Sequence, residues 1–467
     1  MLKEEQKQLL ASANLTHTPG GWLHLQIEGS AFQRGFQHGY LLADALDHCL
    51  RSNRYWAYWM TAQPFDLFVQ VADELYMQTN LIEPEYVEEM HGIAQGASAN
   101  GCETTFGEIL AWNCFVDIIY SGWSTLAADY VKPQGNHSQF QWLRPKPHRY
   151  TGHRCSAFIA TGDATQSGEI VMAHTTWDAF IQAQHFNVIV YIQPEHGESL
   201  LMQTAPGWIA SMMDFTLTGK NLMVTETTID GYKPGFDKTQ APEFVTSRKA
   251  CQYAATIDDW VDIVRDSNNG GYANSWLLGD ADTGEIARCE LGLLYQSDVR
   301  KLKSGILCGQ NIPADIHIRN LETDDPDAWS DISGSGARRV RWKQLTDENY
   351  GKVNTERARL MIGDHYDVYL NQTQPSSRTL CGHIDIDDGR NSLGHGHPPF
   401  YPWGAVDGKV ATSDDVRNRR MSARWGRACG EAFNADDFLK ANLQYDWLRE
   451  HLIDRPSQPW EVVGGKK

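Results

Sequence analysis

The stretch GHRCSAFIATGDATQSGEIVMAHTTWDAF, residues 152–180, decides the fold expected for this chain. CSAFIAT and EIVMAHTTW have strand character, and turn residues separate them, so the stretch predicts a β-hairpin. If the turn centres near residues 164–166, antiparallel pairing places Cys155 beside His174 and Thr176. A thiol and an imidazole would then lie within reach of each other, as nucleophilic thiol chemistry requires.

Two interpretations of the hairpin remain open at this point. Cys155 can be a packing cysteine and His174 a hydrogen-bonded residue at a strand end. Alternatively, Cys155 stands next to a point where the backbone can be cut. Residues 128–154 just before it are polar and contain three prolines. Such a composition predicts an exposed loop, where backbone can be cut without destroying a core.

The rest of the chain divides at the same point. Residues 1–154 are expected to be mainly helical and to end in the exposed loop, whereas residues 155–467 begin with successive strands. A second predicted hairpin, NSWLLGD–ADTG–EIARCELG, places Asn274 at a strand start and Arg288 on the return strand. A side-chain amide can stabilise an oxyanion, and a guanidinium can bind a carboxylate or orient a substrate. Each of the two can equally be a turn or surface residue.

Composition narrows the class of protein. The chain has 467 residues, 59 of them acidic and 41 basic, and a formal net charge of −18. That charge argues against a nucleic acid or an anionic membrane surface as partner. We see no signal peptide and no apolar run of membrane-spanning length, so we expect a cytoplasmic protein without stable membrane insertion. A homo-oligomer is left open.

Cysteine spacing and the remaining motifs predict no metal and no cofactor. Nine cysteines are scattered without a CxxC pair, which argues against a disulfide framework or a structural zinc site. His395 and His397 lack a clear carboxylate partner and are interpreted as loop residues. Gly35 and Gly39 belong to no phosphate-binding unit, and glycines spaced four apart more often let helices approach closely.

At this point several segments together resemble a known family. Cys155-Ser-Ala followed by a hairpin ending in His174-x-x-Trp177 resembles the phospholipase B-like family around its nucleophile. NSWLLGD, GQNIPADIHIRN (with Asn311) and GAVDGKVATS (with Asp407 and Lys409) are similar to further segments of that family. EGSAFQRGFQHG and GIAQGASANG also resemble the related penicillin acyltransferase-like cysteine peptidases.

The resemblance implies a four-layer αββα sandwich of two largely antiparallel sheets, the N-terminal-nucleophile fold, formed by both parts of the chain. It implies that the precursor cuts itself between Arg154 and Cys155, although those acyltransferase-like relatives are cut after a glycine. Cys155 would then be the nucleophile, His174 would orient or polarise the site, and Asn274 would stabilise the oxyanion. The remaining candidates, expected to support substrate binding, are Trp177, Asp178 and Arg288.

Four functions stay open at this level. The first is hydrolysis of linear amide bonds in a small N-acyl or peptide-like molecule. The second is a phospholipase B-like release of acyl chains from esters, and the third is acyl transfer on the same nucleophile. The fourth is a non-catalytic binding protein that keeps the fold.

Overall fold

The structure is a computed structural model that describes residues 4–131, 155–233, 235–388 and 398–465. The expected cleavage residue Arg154, most of the predicted loop, and His395 and His397 lie outside these ranges. The strands are β1 (Asn14–His17), β2 (Leu23–Gly29), β3 (Cys155–Gly162), β4 (Gly168–Ala179), β5 (Val188–Pro194), β6 (Leu200–Thr204), β7 (Phe215–Thr218), β8 (Leu222–Thr228), β9 (Asn274–Asp280), β10 (Glu285–Leu291), β11 (Arg300–Leu302), β12 (Gly305–Gly309), β13 (Tyr366–Asp367), β14 (Gln372–Thr373), β15 (Trp403–Ala405), β16 (Asp407–Thr412), β17 (Arg420–Trp425) and β18 (Glu461–Gly464).

The helices follow the apolar periodicity of the sequence, most densely before residue 131. They are α1 (Glu4–Leu10), α2 (Ala31–Leu41), α3 (Ala43–Thr61), α4 (Phe65–Ala72), α5 (Pro84–Ala99), α6 (Phe106–Asn113), α7 (Trp123–Tyr130), α8 (Phe180–Ala183), α9 (Glu243–Tyr253), α10 (Ile257–Asp266), α11 (Gly334–Asn349), α12 (Thr355–Ile362), α13 (Ser413–Arg417) and α14 (Ala435–Ala441). Within the described ranges, none of these helices has the length and apolar character that crossing a membrane requires.

Two large sheets organise the molecule. A nine-stranded sheet has the order β1-β2-β5-β6-β7-β8-β9-β10-β11. A seven-stranded sheet has the order β12-β3-β4-β16-β17-β18, with β15 also paired to β4. Neighbours run antiparallel except β2 and β5, which are parallel. Because β1 and β2 precede residue 155, the two parts of the chain share one sheet.

Side-chain alternation sets the layers of this arrangement. Ile159 on β3 faces the other sheet, since a Cβ at Gly279 on β9 would lie 2.9 Å from its Cδ1. Phe158 points the opposite way and its ring lies 5.5 Å from that of Trp342 on α11. On the outer face of the other sheet, the ring of Trp260 of α10 packs against that of Trp276 of β9, with 4.8 Å between the ring centres. Helices therefore cover the outer faces of two packed sheets, and the predicted α+β fold is confirmed.

Glycines join α2 and α5 at very short range, as their spacing indicated. A Cβ at Gly35 would lie 1.9 Å from the Glu89 carbonyl oxygen, and one at Gly39 would lie 2.0 Å from that of Ile93. Reciprocally, a Cβ at Gly92 would lie 2.4 Å from the Phe32 carbonyl oxygen. These atoms belong to backbone, so they cannot move aside as the end of a side chain can.

We expect Gly92→Ala to lower the free energy of unfolding by about 2 kcal/mol or more, because overpacking costs about 1–3 kcal/mol and here displaces a whole helix. Alanine's better helix propensity recovers only about 1 kcal/mol of the cost. Urea unfolding followed by circular dichroism measures the change. Gln95→Ala, at an exposed position of the same helix, is the control, and equal stability of the two variants would contradict the prediction.

Candidate active site around Cys155

Cys155 is the first residue of β3 and stands opposite Thr176 of β4. The next residue on its face, Ala157, stands opposite His174. The predicted placement of Cys155 beside residues 174–176 is therefore confirmed. Only 2% of Cys155 is exposed, and it lies on the strand face that is directed at the other sheet.

Cys155 lines a small cleft that has both polar and apolar walls. Trp177 and Asp178, both predicted to support the site, contribute to this cleft. It is lined by Val116, Cys155, Thr176, Trp177, Asp178, Gln182, Trp208, Met212, Asp214 and Tyr272. Asp178 also accepts a hydrogen bond from the Ala179 backbone N–H at 2.7 Å.

Arg338 and Asn311 hold the backbone of Cys155 on both sides. The Asn311 Oδ1 accepts from the Cys155 backbone N–H at 3.4 Å, and Arg338 donates to the Cys155 carbonyl oxygen at 2.5 Å. Arg338 also donates to Asn311 Oδ1 at 2.7 Å, which joins the two contacts into one clamp. Its guanidinium lies 4.3 Å from the centre of the Trp177 ring.

The clamp has the features of a rigid, buried site. Arg338 is fully buried, and this burial lowers the pKa of the guanidinium to about 10, so that it remains charged at neutral pH. Asn311 has φ = +72°, a left-handed conformation that a non-glycine residue adopts at a cost. Its Nδ2 donates to the Thr228 carbonyl oxygen at 2.6 Å, which fixes the direction in which Oδ1 points.

A second buried charge, Lys409, lies next to the strand that faces Cys155. Lys409 on β16 stands opposite His174, and its Nζ donates to Thr176 Oγ1 at 2.8 Å and to Gln203 Oε1 at 2.6 Å. It pairs with Asp407 Oδ2 at 3.2 Å. Desolvation lowers the pKa of Lys409, and the carboxylate of Asp407 opposes that effect.

His174 is buried beside this lysine and is suited to a neutral role. Among the described residues, neither of its ring nitrogens has a hydrogen-bond partner. Burial first, and then the charge of Lys409, hold its pKa well below the usual range. The imidazole is therefore uncharged at neutral pH. This agrees with orienting or polarising the site, which stays a prediction.

Two buried carboxyl groups, those of Glu226 and Asp214, form an acidic pair near the thiol. Burial first, and then the charge of Asp214, raise the pKa of Glu226 well above its usual range. Tyr272 Oη lies 3.4 Å from Asp214 Oδ2 and 3.3 Å from Glu226 Oε1. Asp214 has φ = +53°, again a left-handed conformation.

These surroundings favour the protonated form of the Cys155 thiol. Burial raises the pKa of Cys155 well above its usual range, and the charges of Glu226 and Asp214 act in the same direction. The Trp177 backbone N–H and Lys409 oppose this effect. A protonated thiol needs a nearby base before it can attack a carbonyl carbon.

Asn274 lies at the start of β9 with its side chain engaged. Oriented so that its nitrogen faces acceptors, the amide donates to the Ala273 carbonyl oxygen at 3.0 Å and to Glu226 Oε2 at 2.8 Å. By alternation it shares the strand face of Trp276, which packs against α10. Asn274 thus contacts the acidic pair, and its action on an oxyanion stays a prediction.

Arg288 lies apart from the other predicted site residues. It is on β10 and lines a separate groove together with Arg300, Arg319, Arg339 and Lys343. Its closest acidic partner is Glu290, with a distance of 3.8 Å between Nε and Oε1. The structure therefore does not bring Arg288 into the cleft of Cys155, whereas it adds Asn311, Arg338 and Lys409 to the site.

The fold and site described above define a layered α+β protein with a buried cysteine held by Asn311 and Arg338. Comparison with known proteins identifies its family. Residues 42–301, more than half of the chain, match the phospholipase B family. The chain belongs to that family, which confirms the resemblance found in the sequence.

Individual relatives are distant and longer than the matched segment. An uncharacterized protein of Archaeoglobus fulgidus is 24% identical over 53% of this chain and 39% of its own length. Putative phospholipase B-like 1 of Caenorhabditis elegans is 25% identical over 48% of this chain and 38% of its own length. Putative phospholipase B-like 2 of Rattus norvegicus is 29% identical over 27% of this chain and 24% of its own length. The matched part therefore spans two fifths or less of these relatives.

Proposed function

We propose that the chain is a self-processing cysteine hydrolase of the N-terminal-nucleophile type. The bond between Arg154 and Cys155 would be cut by the Cys155 thiol, whose sulfur attacks the Arg154 carbonyl carbon. The carbon–nitrogen bond breaks, and the thiol proton passes to the Cys155 nitrogen, which leaves as the α-amine. Water then hydrolyses the resulting thioester, which releases the carboxylate of Arg154 and leaves Cys155 with a free thiol and a free α-amine. The observation that carries the proposal is the clamp of Asn311 and Arg338 on the backbone nitrogen and carbonyl oxygen of one buried cysteine.

The same contacts suit the mature enzyme. Asn311 Oδ1, which accepts from the Cys155 nitrogen in the intact chain, would also accept from the new α-amine. An α-amine has a reference pKa of about 8, so about a tenth of it is unprotonated at pH 7 and can take the proton of the thiol. The thiolate would attack the substrate carbonyl carbon, and the leaving group would receive that proton. Water would then release the acyl group from Cys155.

The positive charge of Lys409 near the cleft supports formation of the thiolate in this reaction. Lys409 lowers the pKa of the Cys155 thiol through its positive charge, and Arg338 holds the adjacent carbonyl group without taking part in proton transfer. His174 is neutral and next to this lysine, so we assign it a positioning role. Asn274 would reach the oxyanion only if it exchanged its contact with Glu226 for one with the substrate.

We propose linear amide bonds, such as those of N-acyl amino acids or small peptide-like amides, as the substrate class. Apolar side chains of Trp208, Met212 and Val116 line the cleft and would contact an acyl chain, while Asp178 and Asp214 offer polar contacts near the leaving group. The second candidate is an acyl ester, which the printed names of the phospholipase B-like relatives favour. The cleft has a volume of about 10 Å³, so binding an acyl chain of either substrate requires its walls to move apart.

A trapping experiment tests the proposal directly. Processed protein is mixed with matched N-acyl amides and phospholipid esters of the same acyl chain, quenched in acid, and digested for mass spectrometry. We expect an acyl group on the peptide that begins at Cys155, and faster turnover of the amides. Cys308→Ser, which changes a cysteine of the separate groove, is the matched control and should react like the parent.

The outcomes separate the open alternatives. Acylation with faster ester turnover would make the second candidate the function, and transfer of the acyl group to an added amino acid in preference to water, saturable in that amino acid, would indicate an acyltransferase. Absence of any acyl group on Cys155 across the panel, in chain that has been cut, would leave a binding protein and refute the hydrolase.

A further inference from the structure

Two histidines and two cysteines, outside the cleft of Cys155, meet at one point of the fold. They are His365, between α12 and β13, Cys381 and His383, in the segment before β15, and Cys429, after β17. One ligand atom from each of the four lies within 4.8 Å of every other. We propose that these four side chains bind a single Zn²⁺ ion as a structural site, a function that is independent of the proposed hydrolase chemistry.

The distances match the edges of a zinc tetrahedron. With Zn–S bonds of about 2.3 Å and Zn–N bonds of about 2.0–2.1 Å, sulfur–nitrogen edges are about 3.5 Å and nitrogen–nitrogen edges about 3.3 Å. Here His383 Nε2 lies 3.7 Å from Cys381 Sγ and 3.6 Å from Cys429 Sγ. The same atom lies 3.0 Å from His365 Nε2. The other pairs of ligand atoms lie within 4.8 Å of each other.

Hydrogen bonding alone does not account for this cluster. Three polar atoms surround His383 Nε2, but one imidazole nitrogen offers either a single N–H or a single lone pair. It can therefore satisfy one of those neighbours and leaves the other two without a partner at that atom. A central cation replaces all three contacts with bonds to itself. Two thiolates and two imidazoles form a ligand set that binds zinc in preference to magnesium or calcium.

Groups around the four ligands resemble those that support metal sites. Metal-bound histidines usually direct their second nitrogen at a carboxylate or carbonyl. His383 is fully buried, and its Nδ1 lies 3.6 Å from Glu431 Oε2. The Glu431 backbone N–H donates to Cys429 Sγ at 3.4 Å. Two thiolates also neutralise the charge of Zn²⁺, so the site adds no net charge to the interior.

The ion would link three chain segments behind the cleft of Cys155. Gly382 lies between two of the ligands, and a Cβ there would lie 2.3 Å from the Trp177 ring. Trp177 Nε1 also donates to the Leu380 carbonyl oxygen at 3.3 Å. Trp177 in turn lies against Arg338, which holds Cys155. Zinc would thus fix the segment that supports the rear of the clamp.

Metal content of the full chain tests the inference. Protein stripped with EDTA is titrated with ZnCl₂ and analysed by equilibrium dialysis and inductively coupled plasma mass spectrometry. We expect one zinc per chain, lost in Cys429→Ser and kept in Cys308→Ser. Glu431→Gln should keep the stoichiometry and weaken binding about 10-fold, as loss of a supporting carboxylate does. Substituted Co²⁺ should show thiolate-to-metal absorption that Cys308→Ser retains.

Two results would overturn the zinc site. One is parent protein that takes up no stoichiometric zinc and shows no cobalt–thiolate band. The other is an unreduced chain in which Cys381 and Cys429 are joined by a disulfide, which intact mass reveals as a loss of about 2 Da. Should Cys429→Ser fail to fold, Glu431→Gln and the cobalt spectrum of the parent still decide. The same metal content is expected for Cys155→Ala, which separates this test from the proposed hydrolase.

Discussion

Cys155→Ala is expected to remain a single chain of 52.7 kDa, whereas the parent separates on a denaturing gel into two fragments. Cleavage before Cys155 leaves 154 and 313 residues, or about 17 and 35 kDa by length. Alanine removes the only group that can attack the Arg154 carbonyl in the proposed mechanism, so the expected loss of cutting is complete and hydrolysis of any substrate is lost with it.

Intact mass spectrometry checks this result beside two matched variants. Cys308→Ser should be cut like the parent, and Cys155→Ser should be cut more slowly, because a hydroxyl is a weaker nucleophile than a thiol. Circular dichroism on all three shows that the fold is kept. Fragments of the same mass from Cys155→Ala would mean that another protease makes the cut, and the proposed self-processing would be withdrawn.

Lys409→Met is the second change with a large expected effect, here on stability. Lys409 and Asp407 are both fully buried and paired, and removing one partner of a buried pair costs about 3–5 kcal/mol because the other charge stays in the interior. Asp407 would keep only its contacts from the Thr176 backbone N–H and Gln203. Urea unfolding in the uncut Cys155→Ala background measures the difference on a single chain.

The comparison variants isolate the reason for that loss. Lys440→Met removes a lysine that pairs with Asp436 on the surface, and its stability should match the parent because solvent screens such a pair. Asp407→Asn combined with Lys409→Met should recover part of the stability, because no buried charge then stays unpaired. A double variant less stable than Lys409→Met would contradict the role given to Asp407.

Much of the fold follows from local pattern. Alternating strand residues and turn residues between Cys155 and Trp177 determine a hairpin, and the resulting register places Cys155 opposite Thr176. The glycine spacing in α2 and α5 likewise indicates a close helix contact, which the structure contains.

The site could be predicted only in part. Cys155 and His174 lie on adjacent strands of one hairpin, so the pairing of these two strands is enough to bring them close together. Asn311 and Lys409 occur in segments that resemble the family, but nothing in those segments shows that both reach the same cysteine. Arg338 lies in a helix whose charged residues are typical of an exposed surface, yet the side chain is fully buried. Arg288 is a candidate on sequence because a guanidinium on the return strand after Asn274 can bind a carboxylate, but the structure places it in a separate groove.

The sequence by itself therefore determined the main helices and strands, the central hairpin, the family, and Cys155 as the first residue of that hairpin. Only the tertiary structure decided which distant residues surround that cysteine, because Asn311, Arg338 and Lys409 arrive on separate elements through strand pairing and helix packing. The four residues proposed to bind zinc show the same limit most clearly. No short spacing joins His365 and Cys429, and three separate segments bring the ligand atoms of the four residues within 4.8 Å of one another. Local pattern encodes neighbours along a strand or helix, whereas a site made by loops from different elements exists only after the sheets have packed.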